Sequence, residues 1–414
     1  MSDVRFWHKQ YPVGQGGFHV GHVRLGSSRI SPTFRWAYDC GSVQRTPLER
    51  EIRRVTARKS LDVLFLSHLD NDHVSGVDQL VSNTTVRQVV LPYLEDHDRV
   101  FLLAAAASAR TLSGNYIGML SDPLSWFGDR GIERIVYIDD GPDEGDDRVP
   151  DSVLPTGDGY VEGDQITGKW TKFDDVRDDG TIQGFQPGRA RTRADAILVK
   201  RGGVLMLLSG TTALNWVLSP FACRPPKKKM HVFIAELEKQ FGRGLRPADY
   251  AKQAETPEGQ LKLRSCYDKF WKGHNLHSMA LYSGPAVTSA GIKSVRHTAK
   301  YGRFVRRIVQ PGWISMGDFD ASVIKRRTDL LNYYAPYANF VGHIALPHHG
   351  SDLSFHEDLI AGYPKAFAAI AAVGTNGYGH PGPIVQKAVQ DAGLQFVRVD
   401  ENPSSRYRVQ GRVR

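Results

Sequence analysis

Cysteine is scarce in this chain of 414 residues: there are three, Cys40, Cys223 and Cys266. They lie far apart and form no CxxC pair. That excludes a disulfide framework and a cysteine-built zinc site, and they read as buried free thiols. Long apolar runs are also missing. The two richest stretches, 101–109 and 366–373, are alanine-rich and far short of the ~20 residues that a membrane-crossing helix needs. The opening MSDVRFWHKQ lacks the apolar centre of a secretory signal. A cytoplasmic protein with no membrane partner is the expectation. No repeat of fixed period occurs. Acidic charge is in deficit, 44 Asp and Glu against 53 Lys and Arg, for a net charge of +9. Such an excess favours polyanionic partners, and its distribution matters more than its sum.

What the chain does contain suits a folded enzyme. A hydrophobic fraction of 41%, with 10% aromatics, supplies a sizeable core and argues against global disorder. Residues 12–40 read as strands joined by turns at Gly14, Gly16 and Gly17, and 47–59 as a charged helix. The apolar run within 62–67 suits a strand buried on both faces. Helical spacing follows at 74–81, a strand at 86–91 and a helix at 100–111. Residues 194–209 look like two strands about the Gly202-Gly203 turn. Short strands are expected at 279–283, 313–316, 343–346 and 367–373, then a helix at 383–391 and a last strand at 395–399. This order predicts an α/β protein with helices packed on sheets. The acidic stretch within 139–147 marks an irregular excursion over about 140–190. Pro225-Pro226-Lys227-Lys228-Lys229 opens a charged, more helical stretch to about 270.

The strongest local signal is Ser67-His68-Leu69-Asp70-Asn71-Asp72-His73, directly after the buried run. Four ligand-type side chains, His68, Asp70, Asp72 and His73, fall together at a strand end, where a tight loop makes them converge. Imidazoles and carboxylates suit Zn, Mn or Fe in mixed nitrogen and oxygen sites. A solvated loop with a capping aspartate would leave both histidines unexplained. Other strand ends carry Gly317-Asp318, His348-His349-Gly350-Ser351 and Asn376 to Pro381. Loops from one sheet edge can build one site.

Together these motifs resemble the metallo-β-lactamase superfamily, in particular the branch of the competence DNA-uptake protein ComEC. Val13-Gly14-Gln15-Gly16 resembles its VGQG-like turn, and Trp36-Ala37-Tyr38-Asp39-Cys40-Gly41 its ILIDTG-like segment. Ser67 to Gly76 matches SHxDxDHxxG, and Asn275 to Ser278 resembles its NxxS strand. Met316-Gly317-Asp318 resembles a TGD turn, while His348 to Ser351 and Tyr378 to Pro381 match HHGS and YGHP. The motifs keep the family's order over almost the whole chain. The resemblance implies one metallo-β-lactamase αββα sandwich over 1–414, with insertions at about 140–190, 224–270 and 284–312. It implies two divalent metal ions, Zn or Mn. His68 and Asp70 would sit on one and Asp72 and His73 on the other, with Asp318 bridging. His349 is the expected ligand of its pair, with His348 as the alternative ligand or a proton donor. His277 is a reserve ligand. Asp70 stands where the superfamily commonly has histidine, and a harder carboxylate there shifts preference from Zn towards Mn or Mg. Met316 replaces the usual threonine, and the uptake protein's membrane-channel parts are missing.

Two metals can activate a water and clamp the leaving oxygen. The expected catalytic residues are Asp72, orienting the nucleophile, and His348 and His380, at the developing charge or the leaving group. A metal-dependent phosphodiesterase or nuclease on DNA or RNA is the expected activity. Its support is a basic stretch with Lys293, Arg296, Lys300, Arg303, Arg306 and Arg307 as substrate-binding candidates, with Tyr301 and Phe304 interleaved. Lys227 to Lys229 and the tail residues Arg406, Arg408, Arg412 and Arg414 add further patches. The alternatives are a hydrolase of a small ester or nucleotide, and a bacterial defence component dependent on a protein partner from its own gene cluster.

Overall fold

The segment Val4–Gln10 alternates buried and half-exposed side chains along its length, the signature of a strand with one covered face. It opens an architecture of strands described by a computed structural model over residues 4–26, 31–57, 60–139, 141, 165–176, 193–223, 227–270, 278–286, 292–299, 303–307 and 309–413. The strands are β1 (Val4–Gln10), β2 (His19–Leu25), β3 (Thr33–Tyr38), β4 (Leu61–Phe65), β5 (Val86–Pro92), β6 (Arg134–Ile138), β7 (Ile166–Trp170), β8 (Phe173–Val176), β9 (Asp195–Val199), β10 (Leu205–Ser209), β11 (Thr212–Cys223), β12 (Ser278–Gly284), β13 (Ile292–Ala299), β14 (Arg303–Arg307), β15 (Gly312–Ser315), β16 (Val341–Ala345), β17 (Ala368–Ala372), β18 (Gln395–Val399) and β19 (Tyr407–Val413).

They form two mixed sheets. The larger has the order β14-β13-β19-β1-β2-β3-β4-β5-β6-β9-β8, and the smaller β18-β17-β16-β15-β12-β11-β10-β7. One apolar cluster fills the space between them, with Phe6, Trp36, Phe65, Trp216 and Trp313 at its centre. A second lies under the helices outside the larger sheet, among them Arg45–Thr56, Val77–Asn83 and Asp96–Ala109. A third lies under Ile324–Tyr334 and Pro383–Asp391 outside the smaller sheet. Helix, sheet, sheet, helix is the metallo-β-lactamase αββα sandwich.

Most expected elements stand within a few residues of their place, and the differences are tertiary. The strands flanking Gly202-Gly203 do not pair with each other: β9 joins the larger sheet beside β6 and β8, and β10 the smaller beside β7 and β11. Gly76 divides the stretch at 74–81 into helices Asn71–Val74 and Val77–Asn83. A side chain at Gly76 would strike Ile52 Cδ1 at 2.7 Å, so the helices close on it as glycine. β18 is not the last strand. β19 follows it and lies between β13 and β1. The stretch 284–312 contains the antiparallel pair β13 and β14. Cys40 and Cys266 are buried and Cys223 half-buried, all as free thiols. Lys300, Tyr301, His277 and Arg414 lie outside the described residues, as do most of 140–190 and the side chains of Lys227 to Lys229, Lys293, Arg296, Arg303, Phe304, Arg306 and Arg307.

Between the sheets His8 and His19 sit where only apolar side chains are expected, beside buried His343, which also stacks on Trp313. His8 Nδ1 and His19 Nε2 are 3.3 Å apart, and both rings stack on Trp313. His8 Nε2 and His19 Nδ1 are buried and make no hydrogen bond. Burial pushes the His19 pKa down from 6.5 to about 3 and that of His8 well below its ordinary range. Both are therefore folded as neutral rings, while the unfolded chain binds protons on them below the ordinary imidazole pKa. Their contribution to stability is complete above that pKa and is lost as the pH falls from it towards the folded value. Between pH 6.5 and 5 His19 removes about 1.6 kcal/mol, and His8 acts in the same direction. Urea unfolding of wild type and His19→Phe across this range should show a flatter pH dependence in the variant.

Candidate metal centre

Parallel strands present their carboxyl ends at one edge, and loops there build sites. β3, β4 and β5 are parallel neighbours in the larger sheet, and β15, β16 and β17 in the smaller. The loop after β3 brings Asp39, and that after β4 brings His68 and, through helix Asn71–Val74, Asp72 and His73. From the smaller sheet come Asp318 after β15, His348 and His349 after β16, and His380 after β17. The sheets are tied at this seam by the Met279 amide donating to the Ser67 carbonyl and the Tyr38 hydroxyl donating to the Met279 carbonyl. Gly317 has φ +52, and a side chain there would meet Ser67 Cβ at 2.6 Å. The absence of one lets the Asp318 turn close on the His68 loop.

Asp318 is the hub of these residues. Its Oδ2 is 3.6 Å from His68 Nε2 and 3.6 Å from His348 Nε2. Its Oδ1 is 3.1 Å from His73 Nε2 and 3.7 Å from His349 Nε2. His349 Nε2 is also 3.2 Å from Asp72 Oδ2. Two sets of ligand atoms each converge within 4.8 Å: His68, His73 and Asp318, and Asp72, His73 and His349. His348 and His349 adopt φ of +46 and +57, strained values for non-glycine residues that turn both imidazoles inward.

The partners on the far side of each ring fix its tautomer. The His73 Nδ1–H donates to Asp39 Oδ2 at 2.8 Å, and the His349 Nδ1–H donates to the Ala372 carbonyl at 2.9 Å. Ser67 Oγ–H donates to Asp39 Oδ2, so it accepts from His68 Nδ1–H. Carboxylate and carbonyl oxygens only accept, so Nδ1 carries a proton in each ring and Nε2 is the atom that offers a lone pair once the ring is neutral. His73 Nε2 is buried and makes no hydrogen bond, despite standing 3.1 Å from a carboxylate oxygen. A lone pair held on the far side by a carboxylate and aimed at acidic oxygens is the donor arrangement of a divalent cation site. The residues fit such an ion.

The charges say the same. Burial opposes ionisation of His73, but Asp318, Asp39 and Asp72 outweigh it and lift its pKa well above the ordinary range. His349 is raised against burial by Asp318 and Asp72. Asp318 is held well below the carboxylate range, and Asp72 at about 2, against burial, by the surrounding histidines. His68 is pushed down to about 4 by burial and then by His73. Without a cation, protons on His73 and His349 balance the two acids.

Of the residues expected to act together, His68, Asp72, His73, Asp318, His348 and His349 meet at this centre. Asp70 is in neither converging set. It lines the adjoining cleft, and burial followed by Asp72 and Asp318 raises its pKa to about 7. His380 stands at the cleft mouth, its ring 5.4 Å from that of His348, and burial then His348 and His349 lower its pKa to about 4. The cleft has a volume of about 560 Å³. Its far wall consists of Ala105, Ala109, Tyr116, Tyr267 and Asp268, where helix Asp96–Ala109 meets helix Pro257–Asp268 and the Ser108 hydroxyl donates to Asp268. No sequence pattern marks that wall, because helices far apart in the chain assemble it. Asp39 also escaped the expected site. Its signals were a lone aspartate at a strand end before Cys40-Gly41 and, in the structure, φ of +58.

Asp39 also accepts the Ser67 amide, on Oδ1 at 2.7 Å, so it orients His68 and His73 together. An asparagine must set an NH2 against one of these donors. Asp39→Asn should weaken metal binding by about 10–100-fold in calorimetric titration while the chain stays folded. Because the raised histidines must shed protons to bind a cation, wild-type affinity should fall steadily on acidification.

No curated protein matches the chain. The converging His and Asp sets, the strand-end loops that carry them and the four layers around them agree with one family. Residues 38–167 match the profile of the Metallo-beta-lactamase superfamily, which points to a metal-dependent hydrolase, and the sandwich built around that stretch is the metallo-β-lactamase fold.

Proposed function

We propose that the protein is a metal-dependent phosphodiesterase acting on nucleic acid. The observation that carries the reading is the division of labour at Asp318, whose two oxygens face different imidazoles: Oδ2 faces His68 and His348, and Oδ1 faces His73 and His349. Asp318 with His68, His73 and His349 would hold divalent metal there. Bound there, a pair of divalent ions, Zn or Mn, supplies an activated water and charge stabilisation for both oxygens of an in-line displacement.

The chain's own groups do the rest. Asp318, His68, His73 and His349 hold the centre, with Asp72 at its boundary with the cleft, where its carboxylate is 24% exposed and can orient the nucleophile. His348 is fixed by Ser354 Oγ at 2.8 Å and its side chain is 25% exposed, so it faces the site of bond breaking. His380 next to it offers a second group for the developing charge or the leaving oxygen. Asp70 serves as a ligand only if the loop tightens on a bound ion; otherwise it shapes the cleft wall.

One observation favours a second reading. The described lining of the cleft holds Asp70, Asp72, Asp268 and Asp318 and no Lys or Arg, a setting that suits a neutral ester as well as a phosphate. Bis(p-nitrophenyl) phosphate and p-nitrophenyl acetate separate the two. With Mn or Zn added, the phosphodiester should be hydrolysed, EDTA should stop it, and Asp72→Ala should lower kcat by at least about 10²-fold. Turnover of the acetate alone would favour the ester, and full phosphodiesterase activity in Asp72→Ala would overturn the site.

A further inference from the structure

The six strands at one end of the larger sheet, β14-β13-β19-β1-β2-β3, contain no acidic residue. They carry eleven arginines and lysines: two in β1, one each in β2 and β3, two in β13, three in β14 and two in β19. These few strands hold more positive charge than the net excess of +9 on the whole chain.

The register arranges part of that charge on one face. In β1 the inward positions Val4, Phe6 and His8 are buried, while Arg5, Trp7 and Lys9 are half-exposed on the outer side. Cross-strand pairing sets Arg412, Arg5 and Arg24 in one row. The next row runs Arg306, Arg296, Gln410, Trp7, His22 and Arg35 by backbone pairing. A third pairs Arg408 with Lys9. In the middle, Trp7 stacks on His22 at 4.4 Å, donates from Nε1 to Gln410, and lies under the Arg24 guanidinium at 5.2 Å. Buried Glu51 holds Arg50, Arg54 and Arg406, and Asp62 accepts the Arg35 amide.

Like charges directly opposite one another in a sheet cost stability. Arginines set out in such rows are complementary to a ligand that repeats negative charge at regular intervals. Rows about 4.8 Å apart across strands and about 6.7 Å apart along them make such a lattice. The described outer positions offer one large aromatic, Trp7, which is stacked in the row rather than projecting as a membrane anchor would. We propose that this face is a docking surface for the phosphate backbone of nucleic acid. It holds substrate outside a metal cleft whose described lining contains no Lys or Arg. As a substrate-holding surface it rests on the phosphodiesterase reading; as a binding surface it does not.

The test is binding of a fluorescein-labelled oligothymidylate by anisotropy, in EDTA, across a salt series. Wild type and Asp72→Ala should bind alike, with affinity falling as salt rises. Arg5→Gln/Arg24→Gln/Arg412→Gln should bind at least tenfold more weakly at low salt. Its log K against log salt should be shallower by about 2, with a Tm unchanged or higher. Arg408→Gln, on an exposed position, should reduce the slope by about 0.7 and carries the test if the triple variant fails to fold. Arg243→Gln/Lys387→Gln, exposed and outside this face, should change nothing. Equal binding by wild type and the Arg5 row variant, equal losses in the control, or preference for phosphatidylserine vesicles over the oligonucleotide would each overturn the proposal. Loss of the surface with Asp72-dependent phosphodiester hydrolysis intact would leave the cleft reading standing. Intact binding without hydrolysis would do the reverse.

Discussion

Four imidazole nitrogens point at the two oxygens of one buried carboxylate, and that convergence governs this molecule. Asp318 is 2% exposed, yet it is charged, as is Asp72 at its side. A buried charge is tolerated only when it is matched. In the ion-free chain protons on His73 and His349 do the matching. A divalent cation can take the place of those protons, because Asp39, Ser67 and the Ala372 carbonyl hold three of the rings with Nε2 inward. The metal-binding character of the centre thus resides as much in those outer partners as in the ligands.

Holding such a centre requires strain, and the sandwich absorbs it. Asp39, His348 and His349 all have positive φ. Such conformations persist where the surroundings over-determine them. Here each strained residue lies at the carboxyl end of a strand anchored deep in a sheet, and the sheets are bonded to each other at Ser67, Met279 and Tyr38. The fold places the site at the seam, so neither sheet alone carries a complete set: the larger gives His68, Asp72 and His73, and the smaller Asp318, His348 and His349.

This centre was largely legible in the sequence because its residues are clustered at strand ends and separated by glycines. His68 to His73 announce themselves by density. Asp318 and the His348-His349 pair follow short apolar runs that can only be buried strands. Spacing puts Asp70 among the ligands, and the ion-free chain holds it in the cleft lining beside Asp72 and Asp318, outside the two converging sets. Which side chains close on a cation is a tertiary matter and marks the limit of that logic. The same limit hides the wall of Tyr116, Tyr267 and Asp268. It also made β9 and β10 look like a hairpin, since local turn chemistry at Gly202-Gly203 does not say which sheet a strand joins. The strand β19 was hidden by its composition. YRVQGRV reads as a charged tail until β1 and β13 pair with it and bury Tyr407, Val409 and Val413.

The separation of charge across the molecule follows from the centre's own chemistry. A lysine or arginine inside the cleft would repel the cations that the site gathers and would pair with Asp72 or Asp318 in their place. Carboxylates can therefore line the cleft, but positive side chains that attract a polyanion must stand elsewhere. The larger sheet offers that place, because β1 and β19 bury one face against the smaller sheet and carry half-exposed or exposed basic residues on the other. Arginine there keeps its long-range attraction, although burial lowers the pKa of Arg35 and Arg408. Under the proposed function, the acid-lined metal cleft and the acid-free strands β14-β13-β19-β1-β2-β3 answer one requirement: cations are held at the centre, and a polyanionic substrate is drawn in without competing for them.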